Sequence, residues 1–380
     1  MFLCFCVCQY NDYVFAGSEP IIRVLILKNK NIRIRSDKSI PLNVRGEKFS
    51  SAKIKGLTIK SQNDKAILFF DRNKEKIYNF DNRKPIIIKS SDKRGIWVDN
   101  KRYSGIIEIF VLRNKILVVN KLGIEKYLSS VVGSEMPHKW PLEALKAQAI
   151  ASRTYALKQN GNNIYDVDST QMHQVYNGLE SRTPKTRKAV RATRSLVLTY
   201  KNKLINALFH SSSGGMTENS EDVWKNKYSY LRTVKDFDQN SKTFKWQKSF
   251  SQQDLRLLFP KIGGINKIKI NDISNTGRIK SAEIYGENGS RQISGNNLRK
   301  KMRLKSTLVR FRFLELNNQN EMGEYAEEPY LIIMGKGAGH GVGMSQWGAK
   351  YLANEGKTAE NILKYFYKGV QIKPFRKSYK

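Results

Sequence analysis

Cysteine is nearly absent from this chain, and its placement excludes two kinds of scaffold. Among 380 residues there are three cysteines, Cys4, Cys6 and Cys8, all close to the start. The chain after residue 8 therefore has no thiol for a disulfide framework or a thiolate metal site. A structure held by cross-links or by a cysteine-bound metal is excluded for that part of the sequence.

Acidic residues are scarce relative to basic ones. Asp and Glu number 33 against 68 Lys and Arg, which gives a formal net charge of +35. Such a charge favours polyanionic surroundings: nucleic acid, anionic lipid or an acidic cell-wall polymer. The charges are spread along the chain, so a lysine- and asparagine-rich genome composition explains them equally well. Because no helix-turn-helix, RNP or zinc-finger pattern is present, nucleic-acid binding rests on charge alone and is not expected.

Long apolar runs are also lacking. No stretch beyond the N-terminus reaches the roughly eighteen apolar residues that a membrane span needs. Residues 1–16 are typical of a degraded secretory signal, with a short apolar run and a small-residue cleavage site at Val14-Phe15-Ala16, but they lack a basic n-region. A misplaced start codon that truncates a longer signal explains the defect equally well. We therefore expect export to the cell envelope, periplasmic or extracytoplasmic, through an atypical or truncated signal segment.

The chain does have enough apolar side chains for a sizeable core, since 40% of its residues are hydrophobic and 11% aromatic. Its length suits two or three domains, or one elaborated domain. We predict an α+β fold whose N-terminal part, residues 17–120, is β-rich. The predicted strands there include IIRVLIL, AILFF, PIIIK and GIIEIFVL, separated by Asn, Lys, Gly and Ser.

A mixed α/β core is predicted over residues 121–240. EKYLSSVV begins its helical section, Glu135 lies in a short polar loop, and the helix PLEALKAQAIASRTYAL follows with small residues that allow close packing. A hairpin with a Lys-Asn turn leads into the loop HSSSGG. Residues 241–320 are predicted to form an ancillary α/β insert, residues 321–328 a polar linker, and residues 329–373 the C-terminal part of the core, with the loop GHGVGMSQWG and helices.

Histidine is rare, and all four residues fall in or beside loops marked by glycine, serine or proline: His138, His173, His210 and His340. Taken singly, each is typical of a surface or hydrogen-bonded structural histidine, but the shared context favours a functional role. The sequence has no HExxH and no closely spaced Cys/His pair, so no metal site is predicted.

The glycine-rich segment GKGAGHGVGMSQWG fits neither GxGxxG nor a Walker-type loop. Its glycines would let the backbone approach a bulky ligand, with His340, Ser345 and Gln346 as hydrogen-bonding groups and Trp347 as a stacking face. A purely structural tight turn is the alternative. HSSSGG lacks the G-x-S-x-G elbow of serine hydrolases and is interpreted as a binding loop.

Four segments, in this order and spacing, resemble one family. VVGSEMPHKWPLEALKAQAIASRTYAL, QVYNG, FHSSSGGMTE and GHGVGMSQWGAKYLANEGKTAENILKYFYKG are similar to the stage II sporulation protein D family, also called the SpoIID/LytB domain. The likeness covers roughly residues 20–373, with a weaker start in IIRVLIL and a weaker ancillary region.

This resemblance implies a peptidoglycan-active protein. Sporulation members are lytic transglycosylases that cut glycan strands already stripped of stem peptides, with the glutamate of Glu-Met-Pro, here Glu135, as the catalytic acid. Other relatives are enhancers of an N-acetylmuramoyl-L-alanine amidase, so a non-catalytic wall-binding regulator is the alternative. Some members hold zinc through cysteines and histidines near mid-domain. This chain has no cysteine there, so we expect no metal and no cofactor.

The residues themselves allow a one-carboxylate mechanism at Glu135. If the 6-hydroxyl of muramic acid attacks its own anomeric carbon, the nucleophile is tethered, and the second carboxylate of ordinary glycosidases is not needed. The role requires a raised pKa of the Glu135 carboxyl, which burial beside Met136, Pro137 and Trp140 would provide. The alternative is that Glu135 caps the following helix. If water were the nucleophile, a second acid would be needed, with Glu218, Glu221 or Asp222 as candidates.

Neutral hydrogen-bonding and aromatic side chains suit sugars better than charges do. On that basis the predicted lining of the glycan groove comprises Gln174, Tyr176, His210, Ser211, Ser212, His340, Ser345 and Gln346. Arg153, on the helix after the Glu-Met-Pro motif, is predicted to support the structure or to orient Glu135.

Overall fold

A computed structural model describes residues 18–37, 42–46, 49–70, 74–79, 85–171, 173–314 and 330–380. The predicted signal segment with its cysteines and the predicted polar linker lie outside the described residues. The chain forms two compact units, one from residues 1–206 together with 371–380 and one from residues 207–370. No helix in the described ranges combines the length and the apolar character needed to cross a membrane.

Among its described residues, the first unit begins with twelve strands. They are β1 (Ile21–Asn29), β2 (Asn31–Arg35), β3 (Leu42–Gly46), β4 (Phe49–Ile54), β5 (Gly56–Gln62), β6 (Lys65–Phe70), β7 (Lys74–Asn79), β8 (Ile86–Lys89), β9 (Ile96–Val98), β10 (Lys101–Tyr103), β11 (Ile106–Leu112) and β12 (Lys115–Gly123). The strands predicted in this region are confirmed. Alternation explains several of them: Ile32 and Ile34 of β2 are buried, as are Leu57 and Ile59 of β5, because successive side chains point to opposite faces.

Helices dominate the remainder of the first unit. In chain order it contains α1 (Ile124–Glu135), α2 (Leu142–Lys158), β13 (Val167–Asp168), a 3₁₀ turn (Gly178–Ser181), α3 (Pro184–Ala192), β14 (Leu196–Tyr200) and β15 (Lys203–Leu204). Buried residues occur on most sides of α2, and many of them are alanines, which allow the neighbouring helices to approach closely. Thr183 starts α3 by capping, since its hydroxyl accepts the backbone N–H of Thr186.

The second unit contains short elements in mixed order. They are β16 (Phe209–His210), α4 (Ser220–Val223), β17 (Lys245–Phe250), α5 (Gln252–Leu258), a 3₁₀ turn (Pro260–Ile262), β18 (Lys267–Ile273), β19 (Ile279–Gly286), β20 (Gly289–Ser294), α6 (Gly295–Lys301), β21 (Val309–Phe313), β22 (Leu331–Lys336), β23 (Met344–Ser345), α7 (Gln346–Asn354) and α8 (Ala359–Phe366). The chain then returns to the first unit as β24 (Gln371–Pro374) and a 3₁₀ turn (Lys377–Tyr379).

Two large sheets organise the first unit, with strand orders β13-β1-β12-β11-β8-β3-β4 and β10-β9-β2-β5-β6-β7. A third, small sheet joins β14 to β15 and β24. The predicted hairpin at the Lys-Asn turn is confirmed for β14 and β15. Lys201 and Asn202 have positive φ angles of 49° and 60°, the left-handed geometry of a tight hairpin turn. The mixture of helices and sheets confirms the α+β class.

The core of the second unit includes a sheet of order β17-β22-β21. Trp246 and Phe250 of β17 belong to the same buried cluster as Leu331 and Ile333 of β22 and Ile284 of β19. This sheet therefore joins strands from the predicted ancillary insert with a strand from the predicted C-terminal part of the core.

Candidate active site

Glu135 is the last residue of α1, whereas the sequence analysis placed it in the loop that follows. The helix ends there because Met136 is extended, with φ of −129° and ψ of 140°. Pro137 favours that conformation, since a proline disfavours helical geometry in the residue before it. Glu135 itself is half-buried and Met136 is buried. A carboxylate at this position faces the negative end of the helix dipole, which makes a hydrogen-bond donor from elsewhere valuable.

That donor comes from the segment between β13 and α3. The backbone N–H of Val175 donates to Glu135 Oε1 at 2.7 Å. Close by, Asn177 Nδ2 donates to the hydroxyl of Ser134 at 3.3 Å. The segment therefore runs along the end of α1 and fixes one oxygen of the Glu135 carboxylate.

The two neighbours of Val175 in the chain are anchored in the core. Gln174 Oε1 accepts the hydroxyl proton of Tyr127 at 3.1 Å, and the hydroxyl of Tyr176 donates to Asn120 Oδ1 at 2.7 Å. Gln174 is 0% exposed and Tyr176 is 2% exposed. Both side chains are predicted from the sequence to line a glycan groove; they are buried here, and that role stays a prediction. Their contacts hold the Val175 N–H in the position where it reaches Glu135.

Tyr127 stays protonated in this environment. Burial raises the pKa of its hydroxyl well above the usual value, and the nearby Tyr176 and Glu135 add to the effect. Burial also raises the pKa of Tyr176. The rings of the two tyrosines lie 5.1 Å apart. Both hydroxyls therefore remain donors at physiological pH. The hydrogen bonds that anchor Gln174 and Tyr176 on either side of Val175 are thus maintained.

Arg153 supports the fold through Glu125. Its Nε and Nη2 donate to the two carboxylate oxygens of Glu125 at 2.9 and 2.7 Å, and its Nη1 donates to the carbonyl oxygen of Leu196 at 3.0 Å. Arg153 is 0% exposed. These contacts join α2 to the first turn of α1 and to β14. Of the two roles predicted for Arg153, they correspond to structural support.

The first unit contains two of the predicted functional histidines, His138 and His173, and their surroundings differ. His138 is exposed, whereas His173 is half-buried, with Nδ1 2.8 Å from Asp168 Oδ2. Burial opposes ionisation of Asp168, but hydrogen bonds from Thr170 and His173 outweigh it and lower the pKa of the carboxyl. Asp168 is thus charged at neutral pH and fixes the start of the segment that carries Val175.

In the second unit the two predicted binding loops pair with each other. β16 and β23 are parallel neighbours, with Phe209 opposite Met344 and His210 opposite Ser345. Ser212 extends the pairing, since its backbone N–H and carbonyl both bond Ala338, at 3.1 and 2.7 Å. The structure therefore brings HSSSGG and GHGVGMSQWG together, although they are far apart in sequence.

The glycines of the second loop allow close contact within the protein itself. Gly339 has a φ of +111°, and a Cβ there would lie 2.7 Å from His210 Cβ. Gly341 has a φ of +83°, and a Cβ there would lie 2.7 Å from the guanidinium of Arg278. From the sequence, these glycines are predicted to admit a ligand. In the structure they admit the side chains of His210 and Arg278, so the alternative of a structural loop accounts for both positions.

His210 and His340 lie side by side, with ring centroids 5.5 Å apart. His210 Nδ1 donates to the carbonyl oxygen of Val342 at 3.2 Å, and His340 Nδ1 accepts the N–H of Val342 at 3.1 Å. Burial lowers the pKa of His210 well below its usual value, with His340 and Arg278 adding to the effect. Burial, Arg299 and Arg278 lower the pKa of His340 to about 3. Both rings are therefore neutral at physiological pH.

Three further predicted groove residues of this unit are buried. Ser345 and Ser212 are 0% exposed and Gln346 is 6% exposed, while Ser211 is half-buried. The hydroxyl of Ser345 accepts the backbone N–H of Gly348 at 3.1 Å, which caps the start of α7. The role of these four residues in glycan binding stays a prediction.

Two buried aspartates were missed by the sequence analysis. Ser213 Oγ donates to Asp236 Oδ2 at 2.6 Å, and Ser212 Oγ donates to Asp238 Oδ2. Both aspartates are 0% exposed. Burial, reinforced by the nearby Asp238, raises the pKa of Asp236. The serines of HSSSGG thus bind internal carboxylates, and only the spacing of two aspartates in KDFDQ hinted at them.

The candidate second acids are all engaged. Glu218 is 0% exposed and accepts the hydroxyl of Ser274 at 2.6 Å. Glu221 is paired with Arg232, whose hydrogen bond lowers the pKa of the carboxyl to about 2. Asp222 lies 3.4 Å from the ammonium of Lys280. Within the described ranges, no group of three or more His, Cys, Asp or Glu side chains is arranged to hold a metal ion.

The fold and the site define a class of α+β protein with a half-buried glutamate at a helix end, held by a backbone N–H. A family model described as Stage II sporulation protein matches residues 112–200, and one described as a domain of unknown function, DUF8618, matches residues 200–343. The Stage II sporulation protein D of Bacillus subtilis is 33% identical over 287 residues, which cover 70% of this chain and 79% of that protein. The chain belongs to the stage II sporulation protein D family, which confirms the resemblance.

Other relatives differ in name. An uncharacterized protein of Brachyspira hyodysenteriae is 34% identical over 286 residues, covering 73% of this chain and 74% of that protein. A Bacillus subtilis protein named Amidase enhancer is 32% identical over 291 residues, covering 64% of this chain and 40% of that protein.

Proposed function

We propose that this protein has a cell-wall role and acts there as a lytic transglycosylase on peptidoglycan, with Glu135 as its single acid and base. Its substrate would be glycan strands stripped of stem peptides, and the reaction would take place in the cell envelope after export. Membership in the stage II sporulation protein D family supports the wall-related role. The +35 net charge would favour adhesion to anionic wall polymer.

The observation that carries the proposal is the environment of Glu135. One carboxylate oxygen is fixed by the Val175 N–H at 2.7 Å, and the buried Gln174 and Tyr176 hold that donor in place. A fixed carboxyl group is what general acid catalysis requires, since proton transfer depends on position before it depends on acidity. Arg153 is engaged by Glu125.

The proposed reaction needs no water. Glu135, as the carboxylic acid, donates its proton to the glycosidic oxygen while the bond from that oxygen to C1 of muramic acid breaks. The 6-hydroxyl oxygen of the same muramic acid forms the new bond to C1, and its proton passes to the Glu135 carboxylate. The products are one strand with a 1,6-anhydro-muramic acid end and one with a free hydroxyl. The Val175 N–H stabilises Glu135 in its charged form between the two transfers.

A second candidate follows from the relative named Amidase enhancer, which is 32% identical. In that case the protein would bind glycan and stimulate an N-acetylmuramoyl-L-alanine amidase without cutting the strand itself. Glu135 would then tolerate substitution, because no proton transfer would depend on it.

Digestion of purified peptide-free glycan strands separates the two functions. We expect the wild type to release fragments with anhydro ends, and Glu135→Gln to bind glycan without cleaving it, since an amide keeps the shape but donates no catalytic proton. Glu143→Gln is the matched control, because Glu143 pairs with Lys146 on the surface of α2. No cleavage by any variant, together with equal stimulation of an added amidase by wild type and Glu135→Gln, would contradict the proposal and support the enhancer function.

A further inference from the structure

A pocket of about 440 Å³ in the first unit is lined by positive charge. Its basic lining residues are Lys89, Lys93, Lys126 and Arg182. Ser90 and Ser104, which carry hydroxyl groups, also line the pocket. The neutral part of the lining includes the aromatic side chain of Tyr103, so the pocket combines cations, hydroxyls and one ring.

Arg182 is the unusual member of this set. Its guanidinium is half-buried, and its Nε is buried without a hydrogen-bond partner among the residues that the structure describes. Burial lowers the pKa of Arg182, because removal of water destabilises the charged guanidinium at this position. The accessible part of such a half-buried guanidinium suits an anion, because its planar donors fit a carboxylate or phosphate in bidentate fashion.

The carboxylate in the pocket lining does not neutralise the basic side chains there. Asp92 is the carboxylate among the described lining residues, and it is bonded by Arg94, with 2.8 Å between Arg94 Nη2 and Asp92 Oδ2. The hydrogen bond from Arg94 lowers the pKa of Asp92, so that pair is already matched. Among the described residues no carboxylate pairs with Arg182 or Lys126, so their charges are available to a ligand.

The pocket is connected to Glu135 through α1. The segment that donates to Glu135 from Val175 continues alongside the helix, where the hydroxyl of Ser181 donates to the carbonyl oxygen of Ser130 at 2.9 Å. Arg182 follows directly and lines the pocket together with Lys126 of α1. At roughly 1.5 Å and 100° per residue, Lys126 and Glu135 lie about 13 Å apart along the helix axis and about half a turn apart around it. A glycan strand that reaches both would have to pass partly around α1.

We propose that this pocket is a carboxylate subsite that binds the free lactyl group of a muramic acid residue on the same glycan strand that Glu135 acts on. The inference rests on the proposed function. Arg182 would receive the carboxylate, Lys126 would add attraction, and the serine hydroxyls would meet sugar hydroxyls. In a strand with stem peptides the lactyl group is an amide and carries no charge. The subsite would therefore favour peptide-stripped glycan.

Two sugars that differ in the lactyl group test this directly. We expect N-acetylmuramic acid to bind the full-length wild-type protein at least about 10-fold more tightly than N-acetylglucosamine in NMR titration, because an Arg–carboxylate contact is among the stronger hydrogen bonds. Arg182→Gln should remove that preference and leave N-acetylglucosamine binding unchanged. Arg187→Gln is the matched control, since Arg187 is exposed on α3 and does not line the pocket. It should retain the preference.

Equal binding of the two sugars by the wild type, or an equal loss in Arg182→Gln and Arg187→Gln, would overturn the subsite. A muramyl peptide that binds more tightly than N-acetylmuramic acid in an Arg182-dependent way would assign the anion to the stem peptide and overturn the lactyl assignment. The measurement is independent of cleavage. A protein that cuts no glycan but keeps the Arg182-dependent preference would refute the transglycosylase proposal alone, and an active enzyme without the preference would refute the subsite alone.

Discussion

The backbone N–H of Val175 donates to the Glu135 carboxylate at 2.7 Å, and this contact ties a buried segment to the end of α1. Val175 contributes the donor through its backbone, so its side chain is not part of the contact. The carboxylate thereby gains a partner at a helix end where the dipole disfavours negative charge. The contact can be removed without altering Glu135.

Val175→Pro removes the N–H, whereas Val175→Ala keeps it. A hydrogen bond to a charged group contributes roughly 1.5–3 kcal/mol, so we expect kcat on peptide-free glycan to fall about 10- to 100-fold in Val175→Pro, with little change in KM. Val175→Ala should stay near wild type. Activity of a folded Val175→Pro protein equal to that of Val175→Ala would show that the contact does not matter for catalysis.

Tyr176→Phe tests the support behind that donor. It leaves the buried Asn120 Oδ1 without the hydroxyl that it accepts at 2.7 Å, and an unsatisfied buried group costs roughly 1–3 kcal/mol. We expect the free energy of unfolding in urea to fall by about that amount. In the double variant with Asn120→Ala, the two losses should be less than additive, since they remove one interaction. Strict additivity would mean that the hydroxyl acts elsewhere.

Arg153→Ala separates structural support from orientation of Glu135. It leaves Glu125 without its bidentate partner inside the protein, and breaking a buried pair in this way costs roughly 3–5 kcal/mol. Arg194→Ala is the control, because its pair with Glu19 is partly exposed and contributes less than about 1 kcal/mol. We expect the unfolding free energy to drop strongly only in Arg153→Ala. A variant with normal stability and reduced kcat would point to orientation instead.

Strands β1, β6, β8 and β11 and helices α1 and α2 could be predicted because each has a local signal. Apolar runs mark the strands, and small and apolar residues mark α2. The prediction of a loop at Glu135 was wrong, since this residue is the last of α1, although Pro137 gave a signal for an extended Met136. Glu135 was found as a candidate from its motif, but its partner Val175 contributes only a backbone N–H, which no side-chain pattern indicates.

The second unit was harder to predict for a physical reason. β16 and β23 are two residues each, too short for any periodicity, and they pair only because distant segments meet. Asp236 and Asp238 are charged residues that sequence reasoning assigns to the surface, yet serines of HSSSGG hold them in the interior. The burial of Gln174 and Tyr176 likewise depends on Tyr127 and Asn120, which lie far away in the chain.

Because His210 and His340 are neutral in the folded protein, we predict that the free energy of unfolding falls in acid. A histidine whose pKa is lowered in the folded state binds a proton more readily when unfolded, so its stabilising contribution is present above the unfolded pKa of about 6.5 and is lost as pH falls towards the folded value. His210 is 4% exposed, and His340 is half-buried with a pKa lowered to about 3. Because His340 is partly exposed, the loss of stability on protonation is smaller than for two fully buried histidines. We expect a loss of about 2 kcal/mol between pH 7 and pH 5.

Urea denaturation at several pH values checks this expectation. His340→Gln should make the loss smaller, and His138→Gln, which replaces an exposed histidine, should leave it unchanged. Asp236 acts in the opposite direction, because its raised pKa favours the folded state as pH falls. Asp236→Asn should therefore steepen the loss in acid. Parallel curves for wild type and His340→Gln would contradict the assignment of a neutral, shielded His340.

The central claim is that a tethered hydroxyl, and not water, attacks the glycan at the site of Glu135. Mass spectrometry of peptide-free glycan digested by the wild-type protein in ¹⁸O-labelled water measures this most directly. We predict anhydro-ended fragments without label, absent from digests with Glu135→Gln and present with Glu143→Gln. Reducing-end fragments that carry the heavy oxygen would contradict the account, because they would mean a water nucleophile and a second acid.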